Sequence, residues 1–225
     1  MNQSNTCLFF TTLYDNLVSE KRRNNLTAMC DKQNIKYEMI EGPRRLSRDY
    51  MMYVHIRNLL VKFRDSNEYE YGIICDDDTS IHTDLFVEAN KTIDVLPNNW
   101  RALHMGPGWL WGRKFGITDD TKNGLMNPEG SLEGLDLDVS KRFFKNIHHK
   151  IWIHKRIWLG GSIAFILRHQ EAANFIIDYD NTWNRLQFPN DRLFLNMQCE
   201  HDYICAYPLL CYEDSQGGTT FTCGK

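Results

Sequence analysis

No apolar run in the 225-residue chain reaches the ~18 residues that a membrane-spanning helix needs, so no membrane span is expected. Proline is scarce, at six residues, and there is no internal repeat or low-complexity tract. That excludes a Pro-rich linker protein and a repeat array. Positive charge is not in excess either. The 26 Lys and Arg stand against 29 Asp and Glu, for a net charge of −3 and a pI near 6.2. The basic footprint of a nucleic-acid binder is therefore missing, and no nucleic-acid partner is expected. The N-terminus, Met1 to Thr6, lacks a charged segment before its short apolar stretch, so no signal peptide is read. No Cys-x-x-Cys pair occurs, and the seven cysteines are an odd number. They are read as reduced thiols in a cytoplasmic protein. Cys199, Cys205, Cys211, Cys223 and His201 crowd the C-terminal end, but their spacing lacks the paired ligands of a structural zinc site.

What is present is an ordinary globular composition, 42% hydrophobic, 24% charged and 12% aromatic. It supplies one sizeable core. The expected organisation is a single domain over 1–214, with the Gly- and Thr-rich 215–225 a loose tail or linker.

The first half alternates strands with helices. Cys7 to Leu13 is an apolar run that reads as a strand. Glu20 to Asn34 reads as a surface helix, and Lys36 to Ile40 as a strand ended by Gly42-Pro43. A long helix from Asp49 to about Phe63 would carry Met52, Ile56, Leu59, Leu60 and Phe63 on one face. Tyr71 to Cys75 is a second apolar strand. Leu85 to Leu96 is helical, and Trp100 to Met105 is a strand ended by Gly106-Pro107-Gly108. A strand–helix alternation of this kind predicts an α/β fold with a mostly parallel, doubly wound sheet. From Gly106 to about Trp158 the pattern fades into a long irregular insertion, with one helix expected near Asp138 to Asn146. Order returns with a strand over Ser162 to Leu167, a helix over Gln170 to Tyr179, a helix opened by Pro189-Asn190-Asp191, and a strand over Tyr203 to Tyr207.

Chemistry concentrates where the strand Tyr71–Cys75 runs into Asp76-Asp77-Asp78. The C-terminal edge of an open α/β sheet is where ligands bind. Three adjacent carboxylates repel one another unless a cation offsets them. Oxygen-only ligands on a strand-end loop suit Mg²⁺ or Mn²⁺, which keep several waters and bind phosphate oxygens. The natural partner of such a site is a diphosphate, and the alternative is a solvated acidic turn. Two further Asp-x-Asp matches, Asp136/Asp138 and Asp178/Asp180, do not follow a strand. Arg57 on the preceding helix could reach a diphosphate or a base, or be a solvated helix residue, and Arg44 and Arg45 are similar. Gly160-Gly161-Ser162 precedes a strand and would let backbone approach a sugar, or be a plain tight turn. Trp109, next to Gly106-Pro107-Gly108, could pack on a sugar ring or anchor a loop.

The segment Tyr71-Gly-Ile-Ile-Cys-Asp-Asp-Asp-Thr79 resembles the Asp-x-Asp segment of GT-A glycosyltransferases. The succession around it is also similar to that family. An N-terminal strand is followed by Lys21-Arg22-Arg23, and then by the acidic strand, the strand Ala102 to Gly106, the strand–helix Ser162 to Tyr179, and the Asp191 segment before Tyr207-Pro208. The order resembles family-25-like, lipooligosaccharide-type glycosyltransferases, whose first acid is Glu where this chain has Asp76. It also resembles the small GT-A domains that chlorella viruses encode for capsid glycosylation. The resemblance implies a GT-A-like, Rossmann-like fold and transfer of a sugar, glucose or a deoxyhexose such as rhamnose, from a UDP-sugar to a glycan or glycoprotein acceptor. It implies Mn²⁺ or Mg²⁺ held by Asp76 and Asp78, with Asp77 between them. Thr11, Thr12 and Leu13 at the first strand's end would face the base and ribose, or merely satisfy that strand end. Asp191 would accept the acceptor's proton in an inverting transfer, or serve only as helix N-terminal charge. A viral origin would place the chain in the host cytoplasm. Two other classes share the strand-end acids: a haloacid-dehalogenase-type phosphohydrolase, and a non-catalytic nucleotide- or carbohydrate-binding domain. The phosphohydrolase pattern wants its acidic strand first and a downstream Gly-Asp pair, and this sequence has neither.

Overall fold

A computed structural model of the chain describes residues 1–12, 17–42, 48–94, 96, 98–105, 107–110, 144–148, 151–154, 159–162, 164–183, 203–206 and 210–213. The N-terminal half follows the sequence pattern closely. Strand β1 spans Thr6–Thr12, helix α1 Leu17–Gln33, strand β2 Lys36–Glu41, helix α2 Arg48–Ser66 and strand β3 Tyr71–Asp76. β1 pairs in parallel with β2 on one side and β3 on the other.

Because β2 and β3 flank β1, right-handed crossovers must put α1 and α2 on opposite faces of the sheet. The core divides accordingly. Leu8 and Phe10 of β1 pack with Leu26 and Cys30 of α1. Cys7 and Phe9 pack with Ile56, Leu59, Leu60 and Phe63 of α2. A strand buried on both faces must be apolar at every position, which is why Cys7 to Phe10 is fully buried and shows no alternation.

Beyond β3 come the short strand β4 (Thr79–Ile81), helix α3 (Leu85–Ile93), and strands β5 (Ala102–His104) and β6 (Pro107–Leu110). Strands β7 (Phe144–His148), β8 (Ile151–His154), β9 (Leu159–Ser162) and β10 (Ala164–Arg168) follow. Helix α4 (His169–Trp183) and strands β11 (Tyr203–Ala206) and β12 (Cys211–Glu213) complete the described elements. α3 joins the α1 face through Leu85 and Ala89, while α4 joins the α2 face through Ala172, Ala173, Ile176 and Ile177.

The main sheet has eight strands in the order β2-β1-β3-β10-β5-β11-β8-β7. It is mixed rather than mostly parallel. β10 inserts antiparallel between β3 and β5, and β8 runs antiparallel to both β11 and β7. The expected helix near Asp138 to Asn146 is corrected where it is described: Phe144 to Asn146 belong to strand β7. The strand expected over Ser162 to Leu167 is two, with β9 ending at Ser162 and β10 starting at Ala164. The helix expected at Pro189 and the segment 215–225 lie outside the described residues.

Candidate functional site

β3 ends in the acids, and the register puts them beside the end of β1. Thr11 stands opposite Asp76 across the parallel pair. Alternation along β3 turns Asp76 toward the α2 face, and there it meets His55. The imidazole Nε2 lies 2.8 Å from Asp76 Oδ1, with His55 itself 1% exposed. Thr12, one residue on from Thr11, turns to the α1 face and accepts a 2.6 Å hydrogen bond from Arg23 Nη1. Arg22, the neighbouring and buried residue of α1, sets its guanidinium 3.3 Å from Asp78 Oδ2. The two crossover helices therefore each deliver one side chain to one flanking acid: His55 to Asp76 and Arg22 to Asp78. This follows from the topology, since both helices start at the C-terminal edge of the sheet and run back along it.

Asp77 differs from its neighbours. It is 7% exposed, and its Oδ2 has no hydrogen-bond partner among the described residues. Burial, and then the charge of Asp76, push its carboxyl up to about 6, against the weaker pull of Arg22, His55 and Arg23. Beneath the turn, Thr79, Ser80 and Ile81 are buried in β4, which pairs antiparallel with β12 so that Glu213 stands opposite Thr79.

The candidate sugar-contact residues, nominated from separate stretches of sequence, are brought together. β6 and β9 form an antiparallel two-stranded ribbon with Pro107 opposite Ser162 and Trp109 opposite Gly160; Gly161 lies between them. The ribbon rises beside the acids. Ala164, two residues beyond Ser162, stands opposite Cys75, the residue before Asp76. Met105 at the end of β5 donates its backbone N–H to Ala164 at 2.9 Å. Thr11, Thr12, Asp76–Asp78, the Gly160–Ser162 strand and Trp109 thus share one edge of the fold.

Arg57 does not join them. Its Nη1 donates to Asp180 Oδ2 at 2.7 Å and its Nη2 to Asn181 Oδ1 at 2.8 Å. Two residues along a helix is a rotation of about 200°, so a helix that aims His55 at Asp76 must aim Arg57 elsewhere. Here it faces α4, as an ion pair holding two helices together rather than as a diphosphate ligand. Leu13, Arg44, Arg45 and Asp191 lie outside the described residues. The residues that sequence reasoning missed are His55 and, as a partner of Asp78, Arg22. The signal for His55 was a lone polar residue next to Ile56 on the apolar face of α2.

Asp76 and Asp78 are partly exposed, at 24% and 19%, and offer oxygen donors of the kind a hard divalent cation takes. Among the described residues, no three acid, histidine or cysteine groups close a cation cage. Such a site fits a cation that draws its remaining ligands from a substrate's phosphate oxygens and from water.

A mixed sheet flanked by helices on both faces, with acids at the end of its third strand, defines a GT-A-like α/β fold. Comparison with one solved structure agrees. The chain is similar to a glycosyltransferase involved in the glycosylation of the major capsid of PBCV-1, with a TM-score of 0.51, 10% identity, and coverage of 98% of this chain and 93% of that one. A197 from STIV aligns at 10% identity with a TM-score of 0.49, over 93% of this chain and 85% of that one. No protein-family model and no curated protein match the sequence. No helix among the described residues is long and apolar enough to cross a membrane.

Proposed function

We propose that the chain is a metal-dependent glycosyltransferase that takes a hexose or deoxyhexose from a UDP-sugar and transfers it to a glycan or glycoprotein acceptor. The observation that carries this reading is the acidic strand end of β3. On a GT-A-like fold, Asp76 and Asp78 stand at the C-terminal edge of the sheet, each already held by a side chain from a crossover helix. The choice of UDP and of the acceptor class rests on the resemblance of the Asp-x-Asp segment.

In this reading Asp76 and Asp78 hold Mn²⁺ or Mg²⁺. The cation supplies neutralisation of the charge that develops on the departing nucleoside diphosphate. The protein's own groups do the rest. Arg22 and Arg23 sit at the same edge and add fixed positive charge facing the diphosphate. Thr11 and Thr12 close the end of β1 where the nucleoside would lie. The β6/β9 ribbon would flank the sugar, with the Gly160-Gly161 backbone free of side chains that would block its approach. Asp191 would take the proton of the attacking hydroxyl in an inverting transfer.

Calorimetric titration of UDP with and without Mn²⁺, repeated on Asp78→Ala, tests the reading. Metal-dependent binding in the wild type, weakened at least tenfold in the variant, is the expected result. Absence of UDP binding in both conditions would overturn it. Asp191→Ala separates base from binding residue: UDP affinity stays at the wild-type value while sugar transfer, followed by release of UDP, falls by about 10²–10⁴. Full transfer in that variant would move the base elsewhere.

A further inference from the structure

We propose that His55 is the positioning residue of the site: it fixes the rotamer of Asp76 and so sets which carboxylate oxygen is presented to the cation. The inference rests on the metal-dependent reading above and names a residue that this reading does not require.

His55 is anomalous where it stands. It lies on the core side of α2 beside Ile56, and only 1% of its side chain is exposed. A leucine or methionine there would bury more apolar surface and strand no polar atom. The imidazole does strand one, since Nδ1 is buried without a partner among the described residues. A buried, unsatisfied ring nitrogen opposes folding. What the position gains in return is a single hydrogen bond, 2.8 Å from Nε2 to Asp76 Oδ1. A carboxylate can only accept, so the proton of that bond is carried on Nε2 and donated to Asp76.

The consequence falls on Asp76. No other side chain among the described residues holds its strand-end carboxylate. With Oδ1 engaged by His55, only Oδ2 is left without a side-chain partner among the described residues, on a side chain that is 24% exposed. Asp76 is thereby preset as a one-oxygen ligand, and the entropy of fixing it is spent in folding rather than in binding. Partners that orient a ligating carboxylate in this way typically contribute 10–100-fold to metal affinity.

The test is titration of Mn²⁺ into the full chain saturated with UDP, read by calorimetry and by the Mn²⁺ electron paramagnetic resonance signal. Three variants are compared with wild type: His55→Leu, His55→Gln and His55→Asn. The glutamine amide nitrogen can occupy the place of Nε2, whereas that of asparagine is too short to do so. His55→Leu and His55→Asn are expected to weaken Mn²⁺ binding by about 10–100-fold. His55→Gln should restore most of it. Thermal midpoints without metal, and UDP affinity without Mn²⁺, should not follow that order. Wild-type Mn²⁺ affinity in His55→Leu, or equal affinity in the Gln and Asn variants, overturns the proposal while leaving the metal-dependent reading intact. If His55→Leu fails to fold, the Gln/Asn pair decides alone. A wild-type protein–UDP complex that takes up no Mn²⁺ removes both.

Discussion

Arg57 shows how far a single residue can be read without its partners. Its position on the helix before the acidic strand makes it a reasonable diphosphate ligand, yet its guanidinium is committed to Asp180, 123 residues later in the chain. Sequence shows the residue's chemistry but not the helix packed against it. The two roles predict different phenotypes. Asp180 is 3% exposed on its side chain, so Arg57→Ala strips a buried carboxylate of an ion-pair partner. The expected loss is about 1–3 kcal/mol of folding stability, measured by urea unfolding, with UDP affinity unchanged. A variant of wild-type stability that binds UDP poorly would reinstate the ligand role. The acids were legible for the opposite reason. Three like charges directly after an apolar run are locally improbable, and the strand that carries them sets their location. His55 was hidden because a lone histidine on an apolar helix face looks like any buried core histidine until the residue it touches is known.

At the scale of elements, the strands and helices of the first half fall close to where the sequence puts them, because α2 and α3 have an apolar face, α1 has spaced apolar residues such as Leu26 and Cys30, and each central strand has an uninterrupted apolar run. Strand direction was not legible. Ala164 to Leu167 of β10 are all buried, as Cys7 to Phe10 of β1 are, and a strand covered on both faces reads the same whether it runs parallel or antiparallel. The short strands β4 and β12 have too few residues to show any period. Packing between elements imposes a further constraint that composition hides, at Gly72 of β3. A Cβ built there would meet the Phe63 ring carbons of α2 at 2.6 Å. Phe63 is fully buried, with its ring 5.8 Å from that of Phe9. It has no room to retreat. Gly72→Ala is therefore expected to cost about 1–3 kcal/mol through overpacking. Adding Phe63→Leu, which trims the ring, should cost less in the Gly72→Ala background than in the wild type. Additive losses would show that α2 shifts as a whole instead.

At the scale of the whole molecule, four thiols among the described residues lie inside. Cys7, Cys30, Cys75 and Cys211 are free and buried on the two sides of the sheet. Burial is the main cause that pushes Cys7 and Cys30 from 9.0 up to about 12, and it holds Cys75 well above its ordinary range. The sign of the linkage follows from which state keeps the proton. Above pH 9 the unfolded chain loses its thiol protons while the folded chain retains them, so the unfolded state binds fewer and stability falls as pH rises. Cys7 and Cys30 each subtract about 1.4 kcal/mol per pH unit between pH 9 and their folded value of about 12. Below pH 9 they subtract nothing. Lysine and tyrosine titrations also bend the alkaline limb, so the comparison that isolates the thiol is with Cys30→Ala. At pH 7 that variant should be less stable than wild type, because it leaves a small void beside Leu8 and Leu26. As pH is raised through 9 to 11, wild type alone bears the cost of keeping the Cys30 thiol protonated, and the gap should close by about 1.4 kcal/mol per unit. Urea unfolding at stepped pH measures it, and two curves that stay parallel to pH 11 would mean that Cys30 is open to solvent in the folded protein.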